Sequence, residues 1–255
     1  MTVALQPHSD EVIEEHYTNL ASKYDEFLKY SPDFIRRMTV KMIDKLGVGP
    51  DDRFVDLGGG TGIYSADILN QIDFHESILL VDPFEEMLAQ APDHPKLTLI
   101  KMDALSFSAR QGVYDKILIK ETIHHIRDRR TLFRNLFERL TPGGRLLLVH
   151  VPPEIDYPLF EAAIERSRRW HADPLGLIDD LEGVGFAVDR DRLDYPHRLP
   201  KEIYIRMVKG CYMSLLTSFT EDELLAGLAE MAAKYRDQDI LSFVDRFDFI
   251  TGSKP

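Results

Sequence analysis

The sequence contains one cysteine and one tryptophan, and it has fewer basic than acidic residues. A single cysteine, Cys211, can form neither an internal disulfide nor a cysteine-based metal site. The 31 lysines and arginines against 43 aspartates and glutamates give a formal net charge of −12. Because binding to nucleic acid or to an anionic membrane depends on clustered positive charge, we expect neither as a partner.

Long hydrophobic runs are also missing. No stretch approaches the roughly 20 apolar residues that a membrane-spanning helix needs, and the first 30 residues carry acids where a secretion signal would be apolar. We therefore expect a cytoplasmic protein, and the sequence leaves monomer and homodimer open. The 255 residues, 44% of them hydrophobic, suffice for one large domain over residues 1–255.

Short apolar segments alternate with helical patterns, which predicts an α/β fold with parallel strands. The predicted strands are 53–57, 77–81, 97–101, 115–119, 145–149, 188–193 and 240–251. The predicted helices are 10–29, 31–46, 63–71, 85–91, 131–140, 159–171 and 175–183, with a helical region over 200–235. We predict a doubly wound, mostly parallel seven-stranded sheet of the Rossmann-like type, over which N-terminal helices and helical insertions form a lid. Its parts are an N-terminal helical cap (1–49), a ligand-binding half (50–151) and an acceptor-side half with the insertions (152–255).

An apolar strand runs directly into a glycine-rich turn near the start of the predicted sheet. The segment reads Val55-Asp56-Leu57-Gly58-Gly59-Gly60-Thr61-Gly62-Ile63. Glycine permits positive φ and lets a ligand approach the backbone, and a strand-to-helix turn is where nucleotide-like ligands meet free N–H groups. Asp56 is expected to place a carboxylate at the mouth of this pocket. A dinucleotide site of the G-x-G-x-x-G type needs a third glycine where this sequence has Ile63.

Polar residues follow the ends of the other predicted parallel strands, at the sheet edge where ligands bind. They are Asp82-Pro83, Asp103-Ala104, Lys120-Glu121 and His150. Asp82 comes 24 positions after Gly58, close to the roughly 20-residue offset at which an acid reaches ribose hydroxyls. The alternative for Asp82 is an ordinary aspartate that starts a turn before proline.

Together, the G-x-G-x-G turn after Asp56, the Asp82 position and Asp103-Ala104 resemble the motifs of class I S-adenosylmethionine-dependent methyltransferases. Within this family the chain is similar to the small-molecule, type-11-like group, over residues 50–150 and more loosely beyond. The resemblance implies S-adenosylmethionine as cofactor, S-adenosylhomocysteine as product and a small-molecule acceptor. It implies cofactor contacts from Tyr17, Tyr24, Asp56, Gly58, Gly59, Gly60, Gly62, Asp82, Pro83, Met87, Asp103, Ala104 and Lys120.

The individual roles follow from the same resemblance. Asp82 would bind the ribose, and Asp103 with the backbone N–H of Ala104 would hold the adenine edge. Met87 would lie beside the adenine, and helix packing is the equal alternative. The strand-end backbone of Lys120 would face the methionine part of the cofactor. Tyr17 and Tyr24 would cover the cofactor from the N-terminal helix, with plain packing again the alternative.

The segment after the fourth strand, Thr122-Ile123-His124-His125, carries the candidate catalytic residues. Adjacent histidines point in different directions, so we expect only one of them to face the methyl group. His125 is the preferred general base, His124 is the second candidate, and a role in shaping the pocket wall is the alternative. We expect no metal, because the usual helical His spacing of four is absent.

Oxygen is the favoured methyl-accepting atom, and amine nitrogen and activated carbon stay open. No Asn-Pro-Pro-Tyr stretch follows the fourth strand, which disfavours methylation of amides and nucleobases. The alternatives to this enzyme class are a nicotinamide-dependent oxidoreductase and a non-catalytic protein that binds S-adenosylmethionine for regulation. Other chemistry on a bound sulfonium is a third possibility.

Overall fold

The computed structural model describes residues 31–255, and its first element is the helix α1 (Pro32–Leu46). The Ser31 hydroxyl accepts a hydrogen bond from the backbone N–H of Phe34 at 3.2 Å, and the helix ends at Gly47, whose φ is 62°. The predictions that lie outside the described residues are the helix over 10–29, Tyr17 and Tyr24.

Seven strands form one sheet in the order β3-β2-β1-β4-β5-β7-β6. Their bounds are β1 (Phe54–Leu57), β2 (Ile78–Asp82), β3 (Leu97–Lys101), β4 (Tyr114–Lys120), β5 (Leu140–His150), β6 (Ala187–Pro200) and β7 (Ile240–Ser253). Strands β1 to β5 are parallel, and β7 lies antiparallel between β5 and β6. This confirms the predicted doubly wound, mostly parallel sheet. In this order β2 and β3 lie on one side of β1, and β4 and β5 lie on the other side. Such a switch point in the strand order is where open α/β sheets bind ligands.

Helices cover both faces of the sheet. After α1 they are α2 (Ile63–Leu69), α3 (Glu85–Leu88), α4 (Ala104–Ala109), α5 (Arg129–Arg139), α6 (Glu161–Trp170), α7 (Pro174–Glu182), α8 (Lys201–Lys209) and α9 (Glu221–Lys234), with 3₁₀ turns at Ile123–His125 and Ser214–Ser218. Neighbouring residues of β4 belong to different apolar layers, because side chains alternate along a strand. Leu118 packs in the layer with Phe34 of α1, and Ile117 packs in the layer with Leu132 of α5.

Two helical predictions differ from the structure. The helix α4 was not expected, and it begins at Asp103, whose carboxylate accepts a hydrogen bond from the backbone N–H of Ser106 at 2.9 Å. The region 200–235 is not one helical stretch but α8, a 3₁₀ turn and α9. The break follows Gly210, where Cys211 has a φ of 51° that no helix continues.

The strand β6 is also longer than the predicted 188–193. It pairs with β7 from Ala187 to Pro200 although its sequence is rich in charged residues. In the added part of the strand, Nε2 of His197 lies 2.7 Å from a carboxylate oxygen of the buried Asp245 on β7. In the described part of the chain, no helix is long and apolar enough to cross a membrane.

Candidate active site

The glycine turn between β1 and α2 is shaped by its contacts with the rest of the protein. Gly58 has a φ of 78°, and its N–H donates to the carbonyl oxygen of Val81 at 2.7 Å. A Cβ atom on Gly58 would overlap the side chain of Thr122, which follows β4. Gly60 has a φ of 56°, which also favours glycine. The turn therefore lies tightly against the ends of β2 and β4, and its backbone lines a cavity.

Asp82, the last residue of β2, holds this turn in place. One carboxylate oxygen accepts a hydrogen bond from the N–H of Gly60 at 2.9 Å, and the other accepts one from the N–H of Phe84 at 3.0 Å. The side chain is 6% exposed, and this burial raises its pKa to about 6. Each carboxylate oxygen has more than one acceptor position. Asp82 can therefore accept hydroxyl donors from a ligand while it keeps both backbone bonds.

Asp56 lies deeper than the sequence predicted. Its carboxylate is buried under the glycine turn and accepts a hydrogen bond from the Ser65 hydroxyl of α2 at 2.6 Å. Burial raises the pKa of Asp56 to about 6. Asp56 therefore joins β1 to α2 at the floor of the cavity, and the expectation that it stands at the pocket mouth is wrong.

The cavity at this sheet edge has a volume of about 620 Å³, within the usual range for small-molecule pockets. The predicted site residues that line it are Asp56, Gly58, Gly59, Gly60, Asp82, Pro83, Met87, Asp103, Ala104, Lys120 and His125. Gly62 and His124 are not among the lining residues. The buried Met87 is 3% exposed and contributes both to packing and to the wall.

Asp103 caps the N-terminus of α4 and also lines the cavity. Burial raises its pKa, but the hydrogen bonds from Ser106 outweigh that effect and leave the pKa below its ordinary value. The bond to the Ser106 N–H uses one carboxylate oxygen, Oδ1. The residue is exposed, so the second oxygen stays accessible to a ligand.

Lys120 and Glu121 contribute charged side chains that the sequence analysis did not assign. The Lys120 ammonium lies 4.5 Å from the centre of the Tyr64 ring, and burial lowers its pKa. Glu121 has a φ of 52°, rare for a residue with a side chain, and its carboxylate accepts from the N–H of Val151 at 2.7 Å. Burial raises the pKa of Glu121. The sequence does carry a signal for these two side chains. A buried apolar strand seldom ends in two charged residues, so a Lys-Glu pair at its end indicates a functional position.

The two candidate histidines have different positions. His125 lines the cavity, and the centre of the His124 ring lies 4.1 Å from that of His125. The nitrogens of His124 are buried, and burial holds its pKa well below the ordinary value. Within residues 31–255, no three histidine, cysteine or acidic side chains are arranged to hold a metal ion.

The groups that line the cavity suit S-adenosylmethionine as the cofactor. The carboxylates of Asp82 and Asp103 line the cavity and can accept hydrogen bonds from a ribose and from an adenine edge, respectively. Their negative charge disfavours a ribose that carries a 2′-phosphate. Apolar side chains such as Met87 line the wall between them. Lys120 and Glu121, of opposite charge, also line the cavity.

Comparisons with known proteins agree with this fit. Residues 54–144 match a family model described as a methyltransferase domain. A curated relative from Vibrio parahaemolyticus is the ubiquinone/menaquinone biosynthesis C-methyltransferase UbiE, 26% identical over 155 residues, which are 58% of this chain. The chain covers 60% of the length of that relative.

Solved structures share the fold over nearly the whole chain. Phosphoethanolamine N-methyltransferase 2 of Haemonchus contortus, solved with phosphomonomethylethanolamine and S-adenosylhomocysteine, has a TM-score of 0.62 at 20% identity, covering 96% of this chain and 60% of that one. The [4+2]-cyclase SpnF has a TM-score of 0.64 at 15% identity, covering 98% of both chains. At these identities the likeness establishes the fold alone.

Proposed function

Since the chain belongs to the class I S-adenosylmethionine-dependent methyltransferases, we propose that it transfers the methyl group of this cofactor to a small-molecule acceptor. One observation carries the proposal. The cavity that Asp82 and the glycine turn form also includes His125, so cofactor-binding groups and a proton acceptor share one space. The net charge of −12 supports a small molecule rather than a nucleic acid as acceptor.

Different residues have different roles in the proposed methyl transfer. Asp82 binds the ribose hydroxyls, Asp103 and Ala104 hold the adenine edge, and Lys120 and Glu121 orient the amino-acid part. When bound, the cofactor supplies an electrophilic methyl group on a sulfonium. The protein then acts chiefly by orienting the acceptor in line with that methyl and by excluding water.

His125 accepts the proton that the acceptor loses. In its neutral form an imidazole has one nitrogen that accepts, and the place of His125 in the lining of the cavity supports this role. The cofactor held by Asp82, Asp103 and Lys120 would supply the methyl group to the acceptor oxygen and leave as S-adenosylhomocysteine, and the imidazole of His125 would take the hydroxyl proton.

Oxygen is the acceptor atom that we favour, and carbon is the second candidate. Carbon is favoured by the name of the Vibrio relative, a C-methyltransferase in quinone biosynthesis. The same imidazole serves both reactions, because removing a hydroxyl proton also activates the neighbouring carbon of an enol or phenol. Product analysis by mass spectrometry and NMR distinguishes an ether from a new carbon–carbon bond.

The test is release of S-adenosylhomocysteine from S-adenosylmethionine in the presence of phenols, enols and amines. We expect release with at least one hydroxylated compound and its loss in His125→Ala. The matched control is His75→Ala, because the side chain of His75 is 68% exposed and does not line the cavity. Cofactor binding without turnover on any of these compounds would instead favour a non-catalytic regulatory protein.

A further inference from the structure

Thr122 lies between the glycine turn and the 3₁₀ turn that carries His125. It lines the cavity and is the N-cap residue of the turn Ile123–His125. A threonine at an N-cap usually accepts a hydrogen bond from the helix with its side-chain oxygen. Within this turn, whose residues are all described, no N–H donates to the Thr122 hydroxyl. The hydroxyl therefore has a role other than capping.

The Thr122 side chain holds the glycine turn instead. Its hydroxyl donates to the carbonyl oxygen of Gly58 at 3.0 Å and also lies 3.1 Å from the carbonyl oxygen of Lys120. A Cβ atom on Gly58 would overlap both Cγ2 and Oγ1 of Thr122, so the side chain packs closely on this glycine. The N–H of Gly58 is bonded on the other side to Val81 of β2. Gly58 is thus held by β2 through its N–H and by Thr122 through its carbonyl oxygen.

The backbone of Thr122 holds the turn that carries His125. Its carbonyl oxygen accepts a hydrogen bond from the N–H of His125 at 3.0 Å. Arg129 of α5 also holds this turn, because its Nε donates to the carbonyl oxygens of Ile123 and Ile126 at 3.2 Å. The turn is therefore anchored to α5 and, through Thr122, to the glycine turn.

The residue before Thr122 is held in a strained conformation. Glu121 has a φ of 52°, which residues with a side chain rarely adopt and which is typical of functional sites. Its N–H donates to the carbonyl oxygen of Val149 at 2.8 Å, and its carboxylate accepts from the N–H of Val151 at 2.7 Å. The segment from Glu121 to His125 is thus fixed between β5, the glycine turn and α5. Such fixed placement is what the alignment of two reacting groups requires.

We propose that Thr122 is a positioning residue, whose hydroxyl sets the distance between the cofactor at the glycine turn and the imidazole of His125. The acceptor has to fit between these two groups, in line with the methyl, and a misplacement of about 1 Å can cost 100-fold in rate. Thr122 acts through Gly58 on one side and through His125 on the other. This inference rests on the proposed methyl transfer and adds a residue to its geometry.

The kinetic test uses Thr122→Val, which replaces the hydroxyl by a methyl group of similar size, and Thr122→Ser, which keeps the hydroxyl. The matched control is Thr217→Val, because the Thr217 hydroxyl donates to the carbonyl oxygen of Ser214 and does not line the cavity. The acceptor is the first compound methylated in the screen of phenols, enols and amines. We expect Thr122→Val to lower kcat by about 10- to 100-fold. The Kd for S-adenosylhomocysteine should change far less, because Val81 and Asp82 still hold the turn.

A double-mutant cycle shows whether Thr122 acts through His125. In the His125→Ala protein, Thr122→Val should lower kcat by no more than about twofold further, because the group that it positions is gone. Thr122→Ser and Thr217→Val should keep most of the wild-type kcat. A wild-type kcat in Thr122→Val, the same loss in Thr122→Ser, or an equal loss with and without His125 would each overturn the inference.

Histidine NMR tests the inference without turnover. The ring signal of His125 is the one that disappears in His125→Ala, and S-adenosylhomocysteine should shift it in the wild type, since His125 lines the same cavity. This shift should be smaller in Thr122→Val and unchanged in Thr217→Val. An equal shift in Thr122→Val and the wild type, or no shift in the saturated wild type, would overturn the inference. Absence of methylation of every compound, together with the expected shifts, would count against the proposed function alone.

Discussion

Asp82 has the most consequential side chain of the cofactor site. Its two oxygens hold the glycine turn and the residue before α3, and the same carboxylate lines the cavity. An alanine at this position removes the proposed ribose acceptor and two backbone hydrogen bonds together. An asparagine keeps the size of the side chain, but it keeps only one of the two acceptor oxygens.

Asp82→Ala should weaken the binding of S-adenosylhomocysteine by on the order of 1–3 kcal/mol, because the ribose hydroxyls lose their acceptor. Calorimetric titration of the folded variant measures this change. Asp103→Ala is the comparison for the adenine edge, since Asp103 is exposed and its loss perturbs the fold less. Unchanged affinity in a folded Asp82→Ala protein would refute the ribose assignment.

Cofactor affinity should fall as the pH is lowered through about 6. The pKa of Asp82 in the free protein is raised to about 6, and a carboxylate must be ionised to accept from both ribose hydroxyls. Binding therefore favours the deprotonated form, so affinity is full above this pKa and declines below it. Titrations between about pH 5 and 8 measure the effect. The decline should be shallower in Asp82→Asn, and an equally steep decline in that variant would assign the proton elsewhere.

His125→Ala should lower kcat by about 100-fold or more, the usual contribution of a general base. The Kd for S-adenosylhomocysteine should stay unchanged, because the proposed role of the imidazole concerns the acceptor and not the adenosine. Steady-state kinetics with a hydroxylated acceptor, together with calorimetry, separate the two effects. Full turnover in this variant would remove His125 from the mechanism.

At the scale of elements, the site is made by the ends of strands and the turns that follow them. The turn after β1 was predictable because its glycines and the adjacent apolar strand are local in sequence. The helix α4 was not predictable, because its six residues are too few for a periodic pattern. The length of β6 was also not predictable, since its residues 194–200 pair with residues 240–246 of β7, which are distant in sequence.

The capping box of α9 gives a prediction at this scale. Thr220 accepts a hydrogen bond from the N–H of Glu223 at 3.3 Å, and the Glu223 carboxylate accepts one from the N–H of Thr220 at 2.8 Å. Both hydrogen bonds of a capping box are therefore present at the start of α9. Thr220→Ala should lower the free energy of unfolding by about 1 kcal/mol.

Denaturant titration measures that change in α9. Thr220→Ser is the control, because it keeps the hydroxyl that caps the helix. Equal losses in both variants would show that the methyl group of Thr220, and not the cap, stabilises the helix.

At the scale of the whole molecule, the sheet order brings together residues that are far apart in sequence. Asp56 pairs with Leu80 on one side and with Leu118 on the other, so the ends of β1, β2 and β4 meet at one edge. The alternation of strands and helices predicted this convergence. The charged pair Lys120-Glu121 at the end of the apolar β4 marks this place in the sequence, but its contacts with Tyr64 and Val151 come from other elements and could not be predicted locally.

Calorimetric titration of the protein with S-adenosylmethionine, S-adenosylhomocysteine and NAD in parallel tests the central claim most directly. We predict micromolar binding of the first two and no binding of NAD, because the cavity presents Asp82 to a ribose and the turn lacks a third dinucleotide glycine at Ile63. Binding of NAD alone would contradict the account and would make the turn from Gly58 to Gly62 an irregular dinucleotide site.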